Sequence, residues 1–269
     1  MPVTLDIPGI NTRMKMRVHK EGDRCVSREI RTNRIWEPYE TSLLLRYLRP
    51  GGVLLDIGAN IGYYTVLGAV LVGKSGRVIA YEPDEENYRL LEENLIINGI
   101  DNVHPFQLAV ADYNGSADIY LSKDNRGDHR LFDCGDGRDK KRTRVVKGGE
   151  HFSAISGRVD FIKIDTQGSE YHVIKGFQDV IFKNRKHLAM VVELWPYGLR
   201  MADVSADQLL TLLSDFDMAF FVIDHLGCRL APIERKCLQH WVCETEANGY
   251  NEGFMNLMLL PKTVAVNVS

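Results

Sequence analysis

Cysteine is scarce in this chain of 269 residues, and its five cysteines are widely scattered. Cys25, Cys134, Cys228, Cys237 and Cys243 lack the close spacing of metal ligands, and their odd number excludes a complete disulfide framework. No apolar run approaches the roughly 18 residues that a membrane-spanning helix needs. The opening residues are polar and carry Pro and Gly where a secretory signal would be apolar. A reduced, soluble, cytoplasmic protein is therefore expected. An excess of either charge is also missing: 33 basic against 36 acidic side chains leave a formal charge of −3, so no global field calls for nucleic acid or an acidic membrane. Repeats and low-complexity segments are absent. The length suits one α/β domain with an extension, large enough to bury both faces of a sheet.

What is present is organised around Val53-Leu54-Leu55-Asp56-Ile57-Gly58-Ala59-Asn60-Ile61-Gly62-Tyr63-Tyr64. An apolar run, an acid, small turn-prone positions and a further apolar run to Val72 read as strand, tight turn and helix. Gly58 and Gly62 allow backbone conformations or close approaches that a side chain would block. The helix after the turn points unpaired N–H groups at the crevice beyond the carboxyl ends of the strands, where open α/β sheets bind ligands. A dinucleotide fingerprint would need a second glycine where Asn60 stands. Asp56 at the mouth of the turn also suits an amino group or sulfonium better than an anion. Plain tight turns of this kind are common, so the pattern alone leaves both readings open.

Arg77 to Tyr81 reads as the next strand, with Glu82 and Pro83 at its carboxyl end. An acid one βαβ unit after the turn can accept hydrogen bonds from both hydroxyls of a ribose. The plain alternative is a helix-start acid, because Asp84, Glu85 and Glu86 follow.

Three stretches in order, Asp56 to Thr65, Ala80-Tyr81-Glu82-Pro83-Asp84 and Ile162-Lys163-Ile164-Asp165-Thr166-Gln167-Gly168-Ser169-Glu170, resemble the FkbM-type methyltransferases. The resemblance runs from about Trp36 to about Trp195. It implies a Rossmann-like class I fold: an α/β sandwich on a mostly parallel seven-stranded sheet with an antiparallel last strand. It implies S-adenosyl-L-methionine as cofactor and O-methylation of a sugar, glycan or natural-product hydroxyl. Carried onto this sequence, cofactor contacts fall to Asp56, Gly58, Ala59, Asn60, Gly62, Tyr63, Glu82, Pro83, Ala109, Val110 and Asp165. The stretch from Leu108 to Asp112 would border the adenine.

The expected division is an N-terminal extension over 1–50, a cofactor-binding domain over 51–262 with a flap at about 123–144, and a tail at 263–269. Met14, Met16 and Val18 alternate as in a half-buried strand, residues 32–38 read as loop, and residues 39–47 read as helix. Further helices are expected from Asp84 to Asn98, from Gly168 to about Phe182, and from Asp203 or Ser205 to Phe216. Strands are expected over 103–110, 117–121, 159–164, 188–192, 220–223 and 254–260. A polar stretch longer than about 12–15 residues is usually functional or disordered, which marks the flap. Its basic cluster, Arg138, Lys140, Lys141, Arg142, Arg144 and Lys147, reads as a solvated surface or as a seat for an anionic acceptor. Val146 to Glu150 departs from the family's usual turn there.

Asp56, Glu82, Asp165 and Glu193 all fall near carboxyl ends of expected parallel strands. A hydroxyl is a poor nucleophile and benefits from a general base. Asp165 and Glu193 are the candidates, with His129 of the flap behind them, and no third ligand makes a metal site of the pair. RNA methylation is the second reading, weakened because Asp165-Thr166-Gln167-Gly168 lacks the Pro-Pro-aromatic turn of exocyclic-amine methylation. A third is a cofactor-binding interaction protein without activity. Acceptor identity and oligomeric state are open.

Overall fold

Val53–Ile57 is buried from end to end, as its apolar run requires, and lies inside an eight-stranded sheet. The computed structural model describes residues 1–265. Across the sheet the strands run Arg229–Pro232, Met218–Asp224, Met255–Pro261, Ala189–Leu194, Phe161–Ile164, Val53–Ile57, Arg77–Tyr81 and Val103–Phe106. The five strands from Ala189–Leu194 to Val103–Phe106 are mutually parallel. Met255–Pro261 is antiparallel to both of its neighbours. This is the expected class I fold with one addition: Arg229–Pro232 pairs back on Met218–Asp224 as a hairpin and makes an eighth strand.

The sheet is covered on both faces, and side-chain alternation decides which residue goes where. Val53, Leu55 and Ile57 pack with Ile162, Ile164, Val192 and the helices Glu170–Gly176, Gln178–Asn184 and Ala206–Ser214. Leu54, Val78, Phe161 and Val191 pack on the other face with the helices Pro38–Tyr47, Tyr63–Val72 and Glu85–Asn98. The N-terminal segment joins this second cluster through Leu5, Ile7, Met14 and Met16. It is tied down by Asn94 and Asn98, whose side-chain oxygens accept the N–H of Arg17 and Lys15.

Several elements differ from the sequence expectation. The run 103–110 is two strands: Val103–Phe106 stays at the edge of the main sheet, where Pro105 is tolerated, and Ala109–Ala111 turns into a three-stranded sheet. The partners there are Gly115–Leu121 and Asp139–Lys147, so the end of the expected flap is strand and the loop ends at about residue 138. The run 168–182 is likewise two helices, meeting at Phe177. Thr32 and Asn33 are helical, within Val26–Asn33. Ile96 faces outward at 76% exposure although it falls in an apolar-periodic run. Helices Pro196–Met201 and Arg235–Ala247 carry weak amphipathic patterns and went unforeseen. Of the expected tail, 263–265 belong to the helical turn Lys262–Ala265, and 266–269 lies outside the described residues. No described helix is long and apolar enough to cross a membrane.

Candidate active site

The alternation that fills the sheet with apolar residues breaks at its carboxyl end. Asp56 and Lys163 are direct cross-strand partners, and Glu193 pairs with Asn256. Asp56, Lys163 and Glu193 take the parity of Leu54, Phe161 and Val191, so they emerge on the face covered by Pro38–Tyr47. Four polar side chains thus stand where the periodicity would place apolar ones.

The glycine turn is built as its spacing implies. Gly58 has φ +81°, and a Cβ there would lie 1.9 Å from the Asp165 carbonyl oxygen, so no other residue fits. Asn60 holds φ +51°, a left-handed conformation that asparagine tolerates. Its N–H donates to Glu82 Oε2 at 2.8 Å, and the Asp84 N–H donates to Glu82 Oε1 at 2.9 Å. Each carboxylate oxygen is therefore fixed by a backbone donor while Glu82 still lines the crevice. Burial raises its pKa to about 8. Asp56, also raised by burial to about 6, accepts the Thr65 hydroxyl at 2.5 Å.

Two cavities open beyond the strand ends. The first, about 50 Å³, is bounded by the glycine turn, Glu82, Pro83, Leu108, Ala109 and Val110, and is closed from above by Arg126, Gly127, His129 and Leu131 of the flap. The second, about 440 Å³, is lined by Trp36, Glu37, Asp56, Tyr63, Tyr64, Lys163, Glu193 and Trp195, with Asp128 and Arg130 of the flap at its side. Gly58, Asn60, Gly127, Asp165 and Gln167 line both, and Asp165 is the one titratable side chain among them.

Around Asp165 the polar groups form one network. Lys163 Nζ lies 3.1 Å from Asp165 Oδ2 and 3.9 Å from Glu40 Oε2, and 4.8 Å from the Tyr64 ring centre. Burial works against its charge, but Asp165, Glu37 and Glu40 outweigh it and hold the lysine well above its usual range. Gln167 Nε2 donates to Asp165 Oδ1 at 2.8 Å and reaches Glu193 Oε2 at 3.3 Å. Burial, then the charges of Asp165 and Glu170, push the Glu193 carboxyl well above the usual range. Burial and Glu40 raise Glu37 to about 8, and the Tyr64 hydroxyl donates to it at 2.8 Å. Glu40 accepts from Asn256 Nδ2 and sits 3.3 Å from His225 of the added hairpin.

Of the residues singled out in the sequence, Glu82, Pro83, Ala109, Val110 and His129 come together at the first cavity. Asp56, Ala59, Tyr63 and Glu193 come together at the second. His129 shares the first cavity with Asp165, whereas Glu193 lines only the second. Gly62 lines neither cavity. It precedes helix Tyr63–Val72 with φ +85°, and a Cβ would press on Leu91 at 2.9 Å, so its role is packing. Glu40, Asn256 and His225 went unremarked in the sequence, and Gln167 was noted only as part of a motif. Only a polar residue at an apolar-parity position could have hinted at the sites they serve. The basic cluster is largely neutralised: Lys140 and Arg142 pair with Asp118, Lys141 with Glu85, Lys147 with Glu150, and Arg138 with Asp128. Among the described residues no group of three or more His, Cys, Asp or Glu side chains is placed to hold a metal.

No curated protein matches the chain in sequence. Solved structures with a similar arrangement include the methyltransferase FkbM of Methylobacillus flagellatus KT, at 16% identity and TM-score 0.46, covering 82% of this chain and 51% of that one. A SAM-dependent methyltransferase of Aquifex aeolicus has 13% identity and TM-score 0.42, covering 83% and 89%. A precorrin-6y C5,15-methyltransferase of Geobacter metallireducens has 11% identity and TM-score 0.49, covering 91% and 93%. The decisive match is in sequence: the model of the methyltransferase FkbM domain covers residues 56–217, more than half of the chain and every strand end described above from Asp56 to Glu193. The chain belongs to the FkbM methyltransferase family, and its cofactor is S-adenosylmethionine.

Proposed function

We propose that the protein is an O-methyltransferase for an uncharged, polyhydroxylated acceptor such as a sugar ring. The observation that carries this reading is the position of Asp165 at the junction of the two cavities. The residues around the first cavity fit the nucleoside of the cofactor. Glu82, pinned by two backbone N–H groups, keeps lone pairs for a ribose diol, and Tyr81, Leu108, Val110 and Ile119 offer apolar walls for a purine. Asp56 and its neighbours suit the amino-acid end. When bound, the cofactor supplies an electrophilic methyl group on sulfonium.

The rest falls to this chain. Lys163 pairs with Asp165 at 3.1 Å, while Glu193 is favoured in its neutral form and can hydrogen-bond without adding a further negative charge. Asp165 is then the group able to take the proton of an acceptor hydroxyl as it attacks. Holding the hydroxyl in line is itself a large part of the rate. In the second cavity Trp36, Trp195 and Phe254 supply flat apolar surfaces for C–H faces, and Glu37, Asp128 and Glu252 supply acceptors for hydroxyls. Six carboxyl groups face only Arg130 and Lys163 there, which disfavours a phosphorylated acceptor or RNA. The test is a panel of glycosides, their phosphorylated forms and short RNAs, with transfer from labelled S-adenosylmethionine. Methylation confined to the RNA or to the phosphorylated compounds would refute the acceptor reading.

A further inference from the structure

The flap segment from Asn125 to Leu131 is a wall shared by both cavities. Arg126, His129 and Leu131 face the first, and Asn125, Asp128 and Arg130 face the second. It is held down where the Arg126 carbonyl accepts from the side-chain amides of Asn60 and Asn87. Tyr120 and Arg130 also exchange backbone hydrogen bonds.

His129 is the unresolved member of this wall. Its Nδ1 lies 3.0 Å from the N–H of Ser122. A backbone amide can only donate, so Nδ1 must be the unprotonated nitrogen of the ring. Burial lowers the pKa to about 4, so the ring is neutral. Its proton is therefore on Nε2. That atom is buried and has no hydrogen-bond partner among the described residues, and the side chain is 5% exposed. The nearest acid, Asp84 Oδ1, is 3.9 Å away and already accepts the N–H groups of Glu86 and Asn87 at 3.0 and 2.9 Å. Buried donors are nearly always paired, and an unpaired one beside a cavity calls for a partner there.

We propose that His129 binds the nucleoside part of the cofactor as a neutral imidazole, donating from Nε2 to a ribose oxygen or purine nitrogen. This rests on the nucleoside reading of the first cavity. The contact ties the flap to the cofactor. Because the same segment carries Asp128 and Arg130, cofactor occupancy also fixes that side of the acceptor cavity. Arg130 donates to Asp128 at 2.6 and 2.9 Å and lies 4.7 Å over the Trp195 ring. His129 is thus a cofactor-sensing residue of the flap and not the acceptor's base.

The test uses the full chain and S-adenosylhomocysteine, followed by calorimetry. In His129→Asn the shorter amide can still accept from Ser122 but has nothing at the Nε2 position. In His129→Gln the amide nitrogen reaches that position. Asn should weaken binding by about 3- to 10-fold, the loss of one hydrogen bond, and Gln should stay within about twofold of the wild type. A histidine that only anchors the flap through Ser122 gives the reverse order, with Asn like the wild type and Gln weaker, and that result overturns the proposal. Long-range ¹H–¹⁵N spectra of the wild type provide the readout if a variant fails to fold. They should show the Nε2-protonated tautomer and a shift of that nitrogen on adding the ligand; a Nδ1-protonated or cationic ring, or no shift, refutes it. Failure of the wild type to bind S-adenosylhomocysteine would refute the nucleoside reading instead. Tight wild-type binding that Glu82→Ala weakens and His129→Asn does not would refute only the role of His129.

Discussion

The two cavities hold their carboxylates in different ways. On the cofactor side, Glu82 is fixed by backbone N–H groups from Asn60 and Asp84, both set by the strand–turn–helix path of the chain. Around the second, Asp165, Glu193, Glu37 and Glu40 are held by side chains: Lys163 and Gln167, two residues either side of Asp165, and Tyr64 and Asn256 from elements farther along the chain. Backbone donors cannot titrate or change rotamer, so they hold the Glu82 carboxyl in one fixed position. The acceptor network shares protons and charge among several groups, and removing one member redistributes the rest. On the proposed function, a constant ligand is matched by the rigid arrangement and a proton-transfer step by the adjustable one.

The largest expected break lies on the acceptor side. Asp165→Asn should lower turnover by about 10²- to 10⁴-fold, the usual worth of a positioned base, with affinity for S-adenosylhomocysteine nearly unchanged. Glu193→Gln should cost less, because its carboxyl is already biased to the neutral form. Collapse of cofactor binding in Asp165→Asn, or a worse turnover in Glu193→Gln, would exchange or erase these roles.

Lys163→Met should destabilise the fold by about 3–5 kcal/mol in denaturant titrations, because it leaves buried carboxyls without their cation. Adding Glu37→Gln should recover part of the loss. Simple additivity of the two changes would mean that Lys163 and Glu37 do not belong to one network.

In the first cavity Glu82→Ala should weaken S-adenosylhomocysteine by about 1–3 kcal/mol, the range for removing a buried hydrogen-bonding group and leaving its partners unpaired. An unchanged calorimetric affinity would detach Glu82 from the ribose.

The same residue offers a smaller and opposite effect on stability. The folded-state pKa of Glu82, about 8, lies above that of an ordinary glutamate, so the folded state binds the proton better. Its contribution is greatest below about pH 4.3 and is lost as the pH rises towards 8. Glu82→Gln should therefore leave the unliganded protein more stable than the wild type at pH 8, by about 1–3 kcal/mol, with the gap closing near pH 4. His129 runs the other way: its folded pKa of about 4 lies below the usual value, so its contribution is present above about pH 6.5 and lost as the pH falls towards 4. Thermal melts across this range separate the two slopes, and a wild-type–Glu82→Gln gap that does not change with pH would place the cost of Glu82 elsewhere than in its ionisation.

The smallest effect belongs to the flank. Lys140→Ala and Arg142→Ala should leave both melting and cofactor binding unchanged, because these exposed cations pair only with solvent-facing groups of the neighbouring strand, chiefly Asp118 and Ser116. A marked loss of acceptor affinity in either would reopen the anionic-acceptor reading.

Much of this was legible in the residues alone, for local reasons. Asp56-Ile57-Gly58-Ala59-Asn60 reports a turn because only certain residues tolerate its dihedrals, and Gly58 and Asn60 do adopt positive φ. Glu82 and Asp84 could be placed at a strand end and helix start, and Asp84 caps that helix by accepting from Glu86 and Asn87. The five parallel strands were visible as short apolar runs. The added hairpin strand was not, since Arg229–Pro232 is a short edge strand with little to bury. The split of 103–110 was hidden because its second half pairs with a strand some 35 positions later in the chain.

The sequence by itself determined the class of fold, the glycine turn and the family, because each depends on short-range geometry that a few residue types encode. Tertiary structure alone decided which carboxyl groups gather around one lysine, that Lys163 sits under Tyr64 between Asp165 and Glu40, and that one flap segment faces two cavities. Burial and distance between remote elements set charge states and couplings, and neither quantity is written in local residue order.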